Sequence, residues 1–258
     1  MAELNVAIRT DSMRLPLRQS LEQASQLGVR AIELDARSGI HPSQLSDTGL
    51  RQLRKTLEDL NLKVSSLRFP TQRGFDSLEN LDRRIDATKS AMLLAYKLGA
   101  PVLVNAIGMV PESEDDPRYT TLREVMDDLG RHGARVGAFF AAETGTESGE
   151  TLSKLLDTCV DGYVAVALNP GQLIVNRFSV PDAVKALRER VQLVCAVDGV
   201  IDLAAGRGIS VPLGQGIADF PNLIGLLEEN RYRGRYVVGR ADSTIGELRQ
   251  SVEYLKNL

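Results

Sequence analysis

Cysteine and histidine are scarce in this chain of 258 residues, which holds two of each. The cysteines, Cys159 and Cys195, lie in different segments, with no CxxC pattern and no Cys/His cluster. This distribution argues against a disulfide framework and against a structural zinc site. His41 precedes a predicted helix and His132 lies near the end of another, so we expect both at the surface.

A basic excess and long apolar runs are also missing. The formal net charge is −3 and the pI is near 5.6, so the chain has no overall field that would attract nucleic acid. No apolar run approaches the roughly 20 residues that span a bilayer, and the first residues, MAELNVAIRTD, are too polar for a signal peptide. We therefore expect a cytoplasmic globular protein with neither a nucleic-acid nor a membrane partner.

What the sequence does have is a strict alternation of short apolar runs with longer amphipathic segments. The eight short runs are NVAIRT (5–10), AIELDA (31–36), KVSSLRF (63–69), PVLVNAI (101–107), VGAFFAAE (136–143), YVAVALN (163–169), VQLVCAV (191–197) and YVVGRA (236–241). Eight strand–helix pairs with short connections predict parallel strands in an α/β fold, a single closed (β/α)8 barrel over residues 1–258. An open doubly wound sheet is the alternative, but RTDSMRLPLRQ after the first run lacks the glycines of a dinucleotide fingerprint. Asp47 and Asp219 are the predicted N-caps of two of the helices.

Chemistry in such a barrel lies at the C-terminal ends of the strands, so the polar residues there are the candidate site residues. They are Arg9, Asp11, Asp35, Arg37, Arg68, Asn105, Glu143, Thr144, Asn169, Gln172, Cys195, Asp198, Arg240 and Asp242. The arginines offer planar forks that bind carboxylates and phosphates. The alternative is that these arginines pair with neighbouring acidic residues on the rim.

Several short motifs, in order along most of the chain, resemble the xylose isomerase-like barrels, a superfamily of sugar isomerases and epimerases and metal-dependent abasic-site endonucleases. GVRAIEL (28–34) is similar to the family's Gly-x-x-x-Val/Ile-Glu-Leu, and SLRFP (66–70) lies where many members have a histidine before the proline. LGQGIADF (213–220) is similar to Leu-Gly-x-Gly-x-x-Asp-Phe, and YRGRYVVG (232–239) to the Tyr-x-Gly before the last strand. The resemblance implies a TIM barrel of the sugar phosphate isomerase/epimerase type, with a role in carbohydrate metabolism.

The resemblance also implies a divalent metal held by Glu, Asp, His and Glu at the ends of barrel strands five to eight. The matching positions here hold Glu143, Asn169, Cys195 and Gly239, and the sixth strand's Asp-x-x-His becomes Asn169-Pro170-Gly171-Gln172. With one ligand of four left, we expect a degenerate site without metal and without other cofactors. Arg68 is expected to supply the positive charge instead, together with Arg240 if its side chain points into the mouth, and Gly239 to leave room beside them. If Gly239 takes the inward position on the last strand, alternation turns Arg240 the other way, and a solvent-facing Arg240 is the alternative.

Glu143 is the predicted catalytic residue if the protein is an enzyme. Its strand, AFFAAE, is apolar, so we expect a raised pKa suited to a general base, the alternative being an ion pair with a mouth arginine. Cys195 is expected to be a small apolar filler, because no histidine is near enough in the sequence to activate it. LGQGI (213–217) is either a phosphate cradle or a tight turn before a helix.

Two functions remain open from the sequence. The first is a sugar isomerase or epimerase with a remodelled, metal-free site for a small anionic polyhydroxy compound, such as a sugar phosphate or sugar acid. The second is a catalytically inactive barrel that binds such a ligand or a protein partner. The residues expected to bind the ligand are Arg68, Asn105, Asn169, Gln172, Cys195, Asp198 and Arg240. Residue patterns leave the substrate and the oligomeric state open.

Overall fold

The computed structural model describes residues 4–202, 207–241 and 243–258, so Asp242, a candidate from the sequence, lies outside the described residues. Eight parallel strands close into a barrel, which confirms the predicted (β/α)8 fold. The barrel strands are β1 (Val6–Arg9), β2 (Ala31–Asp35), β3 (Lys63–Arg68), β4 (Val102–Ala106), β5 (Phe139–Glu143), β6 (Ala165–Leu168), β7 (Val191–Ala196) and β10 (Arg235–Val238). Around the barrel the strands lie in the order β1-β10-β7-β6-β5-β4-β3-β2, so neighbours in the barrel follow one another along the chain and β10 closes the barrel against β1. Two further strands lie between β7 and β10 in the sequence and are not part of the barrel.

Helices connect the strands on the outside of the barrel. They are α1 (Leu17–Gln26), α2 (Asp47–Asp59), α3 (Leu81–Lys97), α4 (Pro117–Val136), α5 (Gly149–Asp157), α6 (Pro170–Val175), α7 (Val180–Leu187), α8 (Phe220–Glu229) and α9 (Ile245–Lys256). Within the described residues, none of these helices combines the length and the apolar character needed to cross a membrane.

The barrel strands are buried on both faces, as a parallel sheet covered by helices requires. Alternate strand residues form two separate apolar clusters, a large one with the helices and a small one of mostly Ala and Val side chains. The small cluster fills the barrel interior and includes Ala141, Ala167 and Cys195. Because these inward residues are small, longer polar side chains are accommodated where each strand ends.

Helix starts agree with one of the two predicted N-caps. Asp219 caps α8, since its side chain accepts a hydrogen bond from the backbone of Asn222. Asp47 is instead the first residue of α2, and the preceding Ser46 is the cap, with its hydroxyl accepting from the backbone N–H of Gly49. The prediction for Asp47 was wrong by one residue because Ser and Asp are equally good caps and stand side by side.

Two elements between β6 and α8 were not predicted. Helix α6 begins directly after Asn169. An antiparallel hairpin, β8 (Asp198–Asp202) with β9 (Arg207–Val211), follows β7 and packs against α6. Close backbone approach makes this packing possible, because a Cβ on Gly208 would lie 2.5 Å from Cα of Val175.

Candidate functional site

A cavity of about 430 Å³ occupies the barrel mouth, at the C-terminal ends of the strands. Polar side chains that line it include Arg9, Arg68, Glu143, Asn169, Gln172 and Arg240. All six come from positions that the sequence placed at strand ends, and four of them were predicted ligand-binding residues. The predicted site and the cavity therefore coincide in their main members.

Arg68 is the centre of this site. Its Nη1 donates to Oε2 of Glu143 at 2.6 Å and its Nη2 to Oε1 at 3.1 Å, so the two side chains form a fork-to-fork ion pair. Its Nε donates to Oε1 of Glu33 at 2.9 Å, and Ser66 donates to the other oxygen of Glu33 at 2.8 Å. Strand β3 thus carries a guanidinium that two carboxylates from β2 and β5 hold in place.

Glu33 was missed as a site residue, although it is 1% exposed and touches Arg68 directly. The sequence contained a signal, because Glu33 lies between the apolar residues Ile32 and Leu34 in the middle of a strand. A carboxylate is almost never fully buried without a partner, so an acidic residue in a two-sided buried strand predicts a basic residue opposite it.

The charges of this cluster set the protonation of Glu143. Burial alone would raise the pKa of the carboxyl, but the charge of Arg68 and hydrogen bonds from Arg68 and Asn169 outweigh it, and the pKa is lowered. Burial likewise works against the charged form of Arg68, yet the carboxylates of Glu143 and Glu33 raise the pKa of its guanidinium well above its ordinary value. The expected raised pKa of Glu143 was therefore wrong, and the ion pair considered as the alternative is what the structure contains.

The side-chain amide of Asn169, directly after the sixth barrel strand, uses both its donor and its acceptor. Its Nδ2 donates to Oε1 of Glu143 at 2.8 Å, and its Oδ1 accepts from the backbone N–H of Gln172 at 3.0 Å, which caps α6. An amide has both a donor and an acceptor, whereas an ionised carboxylate at this position would face Glu143 with a like charge. Asn169 therefore donates a hydrogen bond to Glu143 and also caps α6.

Cys195 lies under the guanidinium. Its side chain is buried, and Nη2 of Arg68 is 3.4 Å from its Sγ. Burial, followed by the charge of Glu143, raises the pKa of the thiol well above its ordinary value, so Cys195 stays protonated at neutral pH. This environment fits the predicted filler, and it leaves the thiol behind the groups that face the cavity.

Arg240, Gln172 and Arg9 form the rim of the cavity. The guanidinium of Arg240 pairs with Glu247 on α9, with Nη2 at 2.7 Å from Oε1, while the residue still lines the cavity. Arg9 pairs with Asp11 at 2.7 Å in the same manner. Both rim arginines are thus partly neutralised by acidic residues outside the lining, which is the alternative that the sequence left open for the mouth arginines.

Gly239 does not leave room in the mouth, contrary to the expectation from the sequence. Its φ of +125° is a conformation that favours glycine, and a Cβ there would lie 2.7 Å from Oγ of Ser12 and 3.0 Å from Cβ of Arg9. The 3-10 turn of residues Thr10–Met13 has taken the space that a side chain would need.

Asn105 and Asp198, two predicted ligand-binding residues, are outside the described lining of the mouth cavity. Asn105 is on the other face of β4 from Val104 and Ala106, and its amide donates to Oγ1 of Thr71 at 3.2 Å. Alternation along the strand makes Ala106 the residue of β4 that lines the mouth, so the structure does not bring Asn105 together with the other predicted ligand-binding residues.

Asp198 is fully occupied by backbone N–H groups. Its two oxygens accept from Gly199, Gly214, Gly216 and Ala218 at 2.8 to 3.1 Å. The LGQGI segment therefore wraps around a carboxylate of the chain itself. The tight-turn interpretation agrees with this geometry, and the amides of Gly214 and Gly216 that a phosphate would have used are satisfied.

A family model described as xylose isomerase-like TIM barrel matches residues 21–258. The chain belongs to this family. The match covers every barrel strand except β1, so the resemblance read from short motifs is confirmed.

Solved structures of this xylose isomerase-like kind share the fold. A xylose isomerase domain protein from Planctomyces limnophilus is 22% identical with a TM-score of 0.87, over 99% of this chain and 96% of that one. A xylose isomerase-like TIM barrel protein from Mycobacterium smegmatis, in complex with magnesium, is 20% identical with a TM-score of 0.73, over 93% and 87%. A D-tagatose 3-epimerase-like protein is 16% identical with a TM-score of 0.81, over 98% and 96%. Comparison with curated protein sequences gave no significant match.

Within this xylose isomerase-like barrel, the four positions matched to metal ligands do not behave alike. Glu143 and Cys195 both contact the guanidinium of Arg68, and Asn169 bonds to Glu143. Gly239 lies instead against Ser12 and Arg9. Three of the four positions thus meet around one guanidinium.

Proposed function

We propose that the mouth of this barrel binds a small anionic polyhydroxy compound, a sugar acid or sugar phosphate, without a resident divalent metal. The observation that carries the proposal is the guanidinium of Arg68, 2.6 Å from the only carboxylate that remains among the four metal-ligand positions. A fixed positive charge at this place attracts and stabilises an oxyanion, as a bound metal cation would.

The donor set does not fit a hard divalent cation. Such ions take several oxygen or imidazole ligands, and the described residues contain no group of three or more His, Cys, Asp or Glu side chains that could hold a metal. Both oxygens of Glu143 are engaged by Arg68, and one also by Asn169. A cation bound to Glu143 would therefore have to displace a buried guanidinium and would meet its charge.

Unused hydrogen-bond donors support an acceptor-rich ligand. A guanidinium has five N–H groups, and the contacts of Arg68 with Glu33, Glu143 and Cys195 use four of them. Nε of Arg240 and Oγ of Ser210, both in residues that line the cavity, are buried with no hydrogen-bond partner among the described residues. Hydroxyl, carboxylate or phosphate oxygens would accept from the remaining N–H of Arg68, and a small shift of Arg240 or Ser210 would bring its buried donor into contact with the ligand.

The geometry supports ligand binding better than proton abstraction by Glu143. A carboxylate whose pKa is lowered is a weak base, and its oxygens already accept three hydrogen bonds. Family membership supports sugar isomerase or epimerase activity as the second candidate. In that case Arg68 would stabilise the developing oxyanion. Glu143 would first have to give up one of the hydrogen bonds that it accepts from Arg68 and Asn169 before it could contact the substrate.

Thermal-shift titration with matched ligands tests the binding proposal. Glucuronate is compared with glucose, and glucose 6-phosphate with glucose, because each pair shares the pyranose ring and differs in its anionic group. We expect the anions to raise the melting temperature and neutral glucose to raise it less, with the effect reduced in Arg240→Gln and Gln172→Ala. Arg18→Gln, on the exposed face of α1, is the matched control.

Three results would overturn parts of this proposal. If no tested anion stabilises the protein, the proposed ligand class is wrong. If glucose and glucuronate stabilise it equally, the anionic group plays no part in binding. Stabilisation of the wild type by Mn²⁺ removes the metal-free site. For the second candidate, exchange of a substrate C–H for deuterium in D₂O, lost in Glu143→Gln, would establish catalysis by this site.

A further inference from the structure

A second cavity, of about 560 Å³, lies at the loops that follow β2 and β3 and at the start of α3. Its charged lining consists of Arg37, Arg73, Arg83, Arg84, His41 and Glu79. Four guanidinium groups and one carboxylate give this lining a net charge of +3 with His41 neutral, whereas the whole chain has a net charge of −3. The described lining residues of this cavity and of the mouth cavity are all different.

Backbone carbonyl groups, rather than carboxylates, hold two of these arginines in place. Nη1 and Nη2 of Arg84 donate to the carbonyl oxygens of Glu79 and Ser77, and Nη1 of Arg37 donates to that of Pro70 at 2.8 Å. A carbonyl fixes a guanidinium without neutralising it. Nε of Arg84 is buried and has no hydrogen-bond partner among the described residues, so this guanidinium has a donor left over.

The remaining charges are weakly compensated. Arg73 pairs with Glu79 at 2.9 Å, but the two side chains are 57% and 59% exposed, so this ion pair is largely screened by solvent. Arg83 is exposed and makes no ion pair with another described residue. The mouth differs in this respect, because each arginine that lines it contacts a carboxylate.

The start of α3 adds to the positive potential. This 17-residue helix begins after Asn80, which lines the cavity and makes no side-chain capping hydrogen bond within the described part of the chain. The first N–H groups of a helix lack partners inside the helix and carry the positive end of its dipole. Asp82 in the first turn is exposed and lies outside the described lining.

We propose that this cavity is a second binding site, for a phosphate group. Planar guanidinium donors from two loops and a helix, together with an uncapped helix start, match the charge and the several acceptor oxygens of a phosphate better than those of a single carboxylate. The lining is a compact cluster on a chain with net negative charge, so a phosphoryl group on a small molecule fits it better than a nucleic-acid backbone. The site is independent of the function proposed for the mouth.

Titration calorimetry of the full chain with inorganic phosphate and with pyrophosphate tests this site. We expect saturable binding of phosphate by the wild type, and at least a tenfold loss of affinity in the double variant Arg37→Gln/Arg83→Gln. Arg18→Gln/Arg51→Gln removes the same charge from exposed positions on α1 and α2 and should keep wild-type affinity. Arg84 is left unchanged because it holds the loop, and melting curves confirm that each variant is folded.

Each other outcome argues against the site. Equal affinity in the double variant and the wild type would place the phosphate elsewhere, and equal losses in both double variants would reveal attraction to net charge alone. Loss of phosphate binding in Arg240→Gln would assign it to the mouth. Absence of saturable binding to the wild type would reject a phosphate site.

Discussion

The barrel mouth and the loop after β7 both bury a charge, and they neutralise it in opposite ways. In the mouth, the guanidinium of Arg68 is held by Glu33 and Glu143, which come from two other strands. In the loop, the carboxylate of Asp198 is held by four backbone N–H groups, one of the next residue and three of the turn that follows the hairpin. The guanidinium is balanced by opposite charges, and the carboxylate by the dipoles of backbone N–H groups.

The difference predicts how each region responds to substitution and to pH. Removing the cation from the mouth leaves carboxylates that can take up protons, so the loss of stability depends on pH. Removing the anion from the loop leaves N–H groups that do not titrate, so the loss is independent of pH and is local to the hairpin and the LGQGI turn. Four substitutions test this contrast, beginning with the one that should have the largest effect.

Arg68→Met should be the most destabilising. It leaves Glu33 and Glu143 buried without their partner, which costs roughly 3 to 5 kcal/mol at neutral pH. In the wild type, the lowered pKa of Glu143 means that its ion pair stabilises the fold at neutral pH and is lost as the pH falls below the ordinary carboxyl range. In the variant the buried carboxylates favour protonation, so stability should return in part as the pH falls from 8 to 5.

Thermal unfolding of Arg68→Met at several pH values checks this expectation. The double variant Arg68→Met/Glu143→Gln, which removes one stranded charge, should be more stable than Arg68→Met at pH 8. A loss that is the same at pH 5 and pH 8, or no gain in the double variant, would contradict the account of the mouth as a balanced charge cluster.

Asp198→Asn should be the next most destabilising. An amide keeps one acceptor oxygen and turns an N–H₂ group toward backbone donors such as Gly214 and Gly216, so a loss of about 2 to 4 kcal/mol is expected. The loss should not change between pH 5 and pH 8. Hydrogen exchange should accelerate at the amides of residues 199, 214, 216 and 218 while the mouth strands stay protected. Unchanged protection at these four amides would show that Asp198 does not organise the loop.

The same contrast separates what the sequence could predict from what it could not. Alternation along the chain was enough to place Arg68, Glu143 and Asn169 together, because strand ends of a closed parallel barrel converge. An ion pair between Glu143 and a mouth arginine could be considered from charge alone. The partners of Asp198 could not, since backbone N–H groups leave no trace in a sequence.

The sequence also could not predict reliably in which direction each strand side chain points. Asn105 was placed at the mouth, but the face of a strand changes with every residue, and an error of one position reverses it. The register shifts between β2 and β3 at Ile32/Glu33, so counting along β3 alone does not show that Ser66 and Arg68 both meet Glu33. The hairpin of β8 and β9 was missed because a strand pair beyond the eight expected ones interrupts the alternation.

Glu147 sharpens the comparison as a buried carboxyl near the mouth that pairs with no cation among the described residues, and whose hydrogen bonds only partly offset its burial. Thr146 lies 2.8 Å from the carbonyl oxygen of Gly108 and 2.5 Å from Oε2 of Glu147, and its hydroxyl has a single hydrogen. If the hydroxyl donates to the carbonyl, the proton in the second contact belongs to Glu147. Burial raises the pKa of Glu147 to about 7, which agrees with a protonated acid.

Glu147→Gln should therefore stabilise the protein. A carboxyl whose pKa is raised in the folded state favours folding at low pH, and this advantage is lost as the pH rises through about 7. Gln imitates the protonated acid, so the gain should reach about 2 to 3 kcal/mol at pH 8 and be small at pH 5. Thermal unfolding at both pH values measures it, with the exposed neighbour Glu150→Gln as control. A gain of equal size at both pH values would exclude titration of Glu147 as its cause.

Cys195→Ala should have the smallest effect of the four. The thiol is 4% exposed and is the weakest partner of Arg68, at 3.4 Å, while the carboxylates contact the same guanidinium at 2.6 to 3.1 Å. Loss of one sulfur atom from the barrel interior should cost about 1 kcal/mol, and because burial keeps the pKa of the thiol high, the loss should not vary between pH 5 and pH 8. Thermal unfolding measures the loss, and slow reaction of the native thiol with a disulfide reagent reports its burial. A loss as large as that of Arg68→Met, with the same pH dependence, would mean that the thiol, and not the two carboxylates, fixes the guanidinium in the mouth.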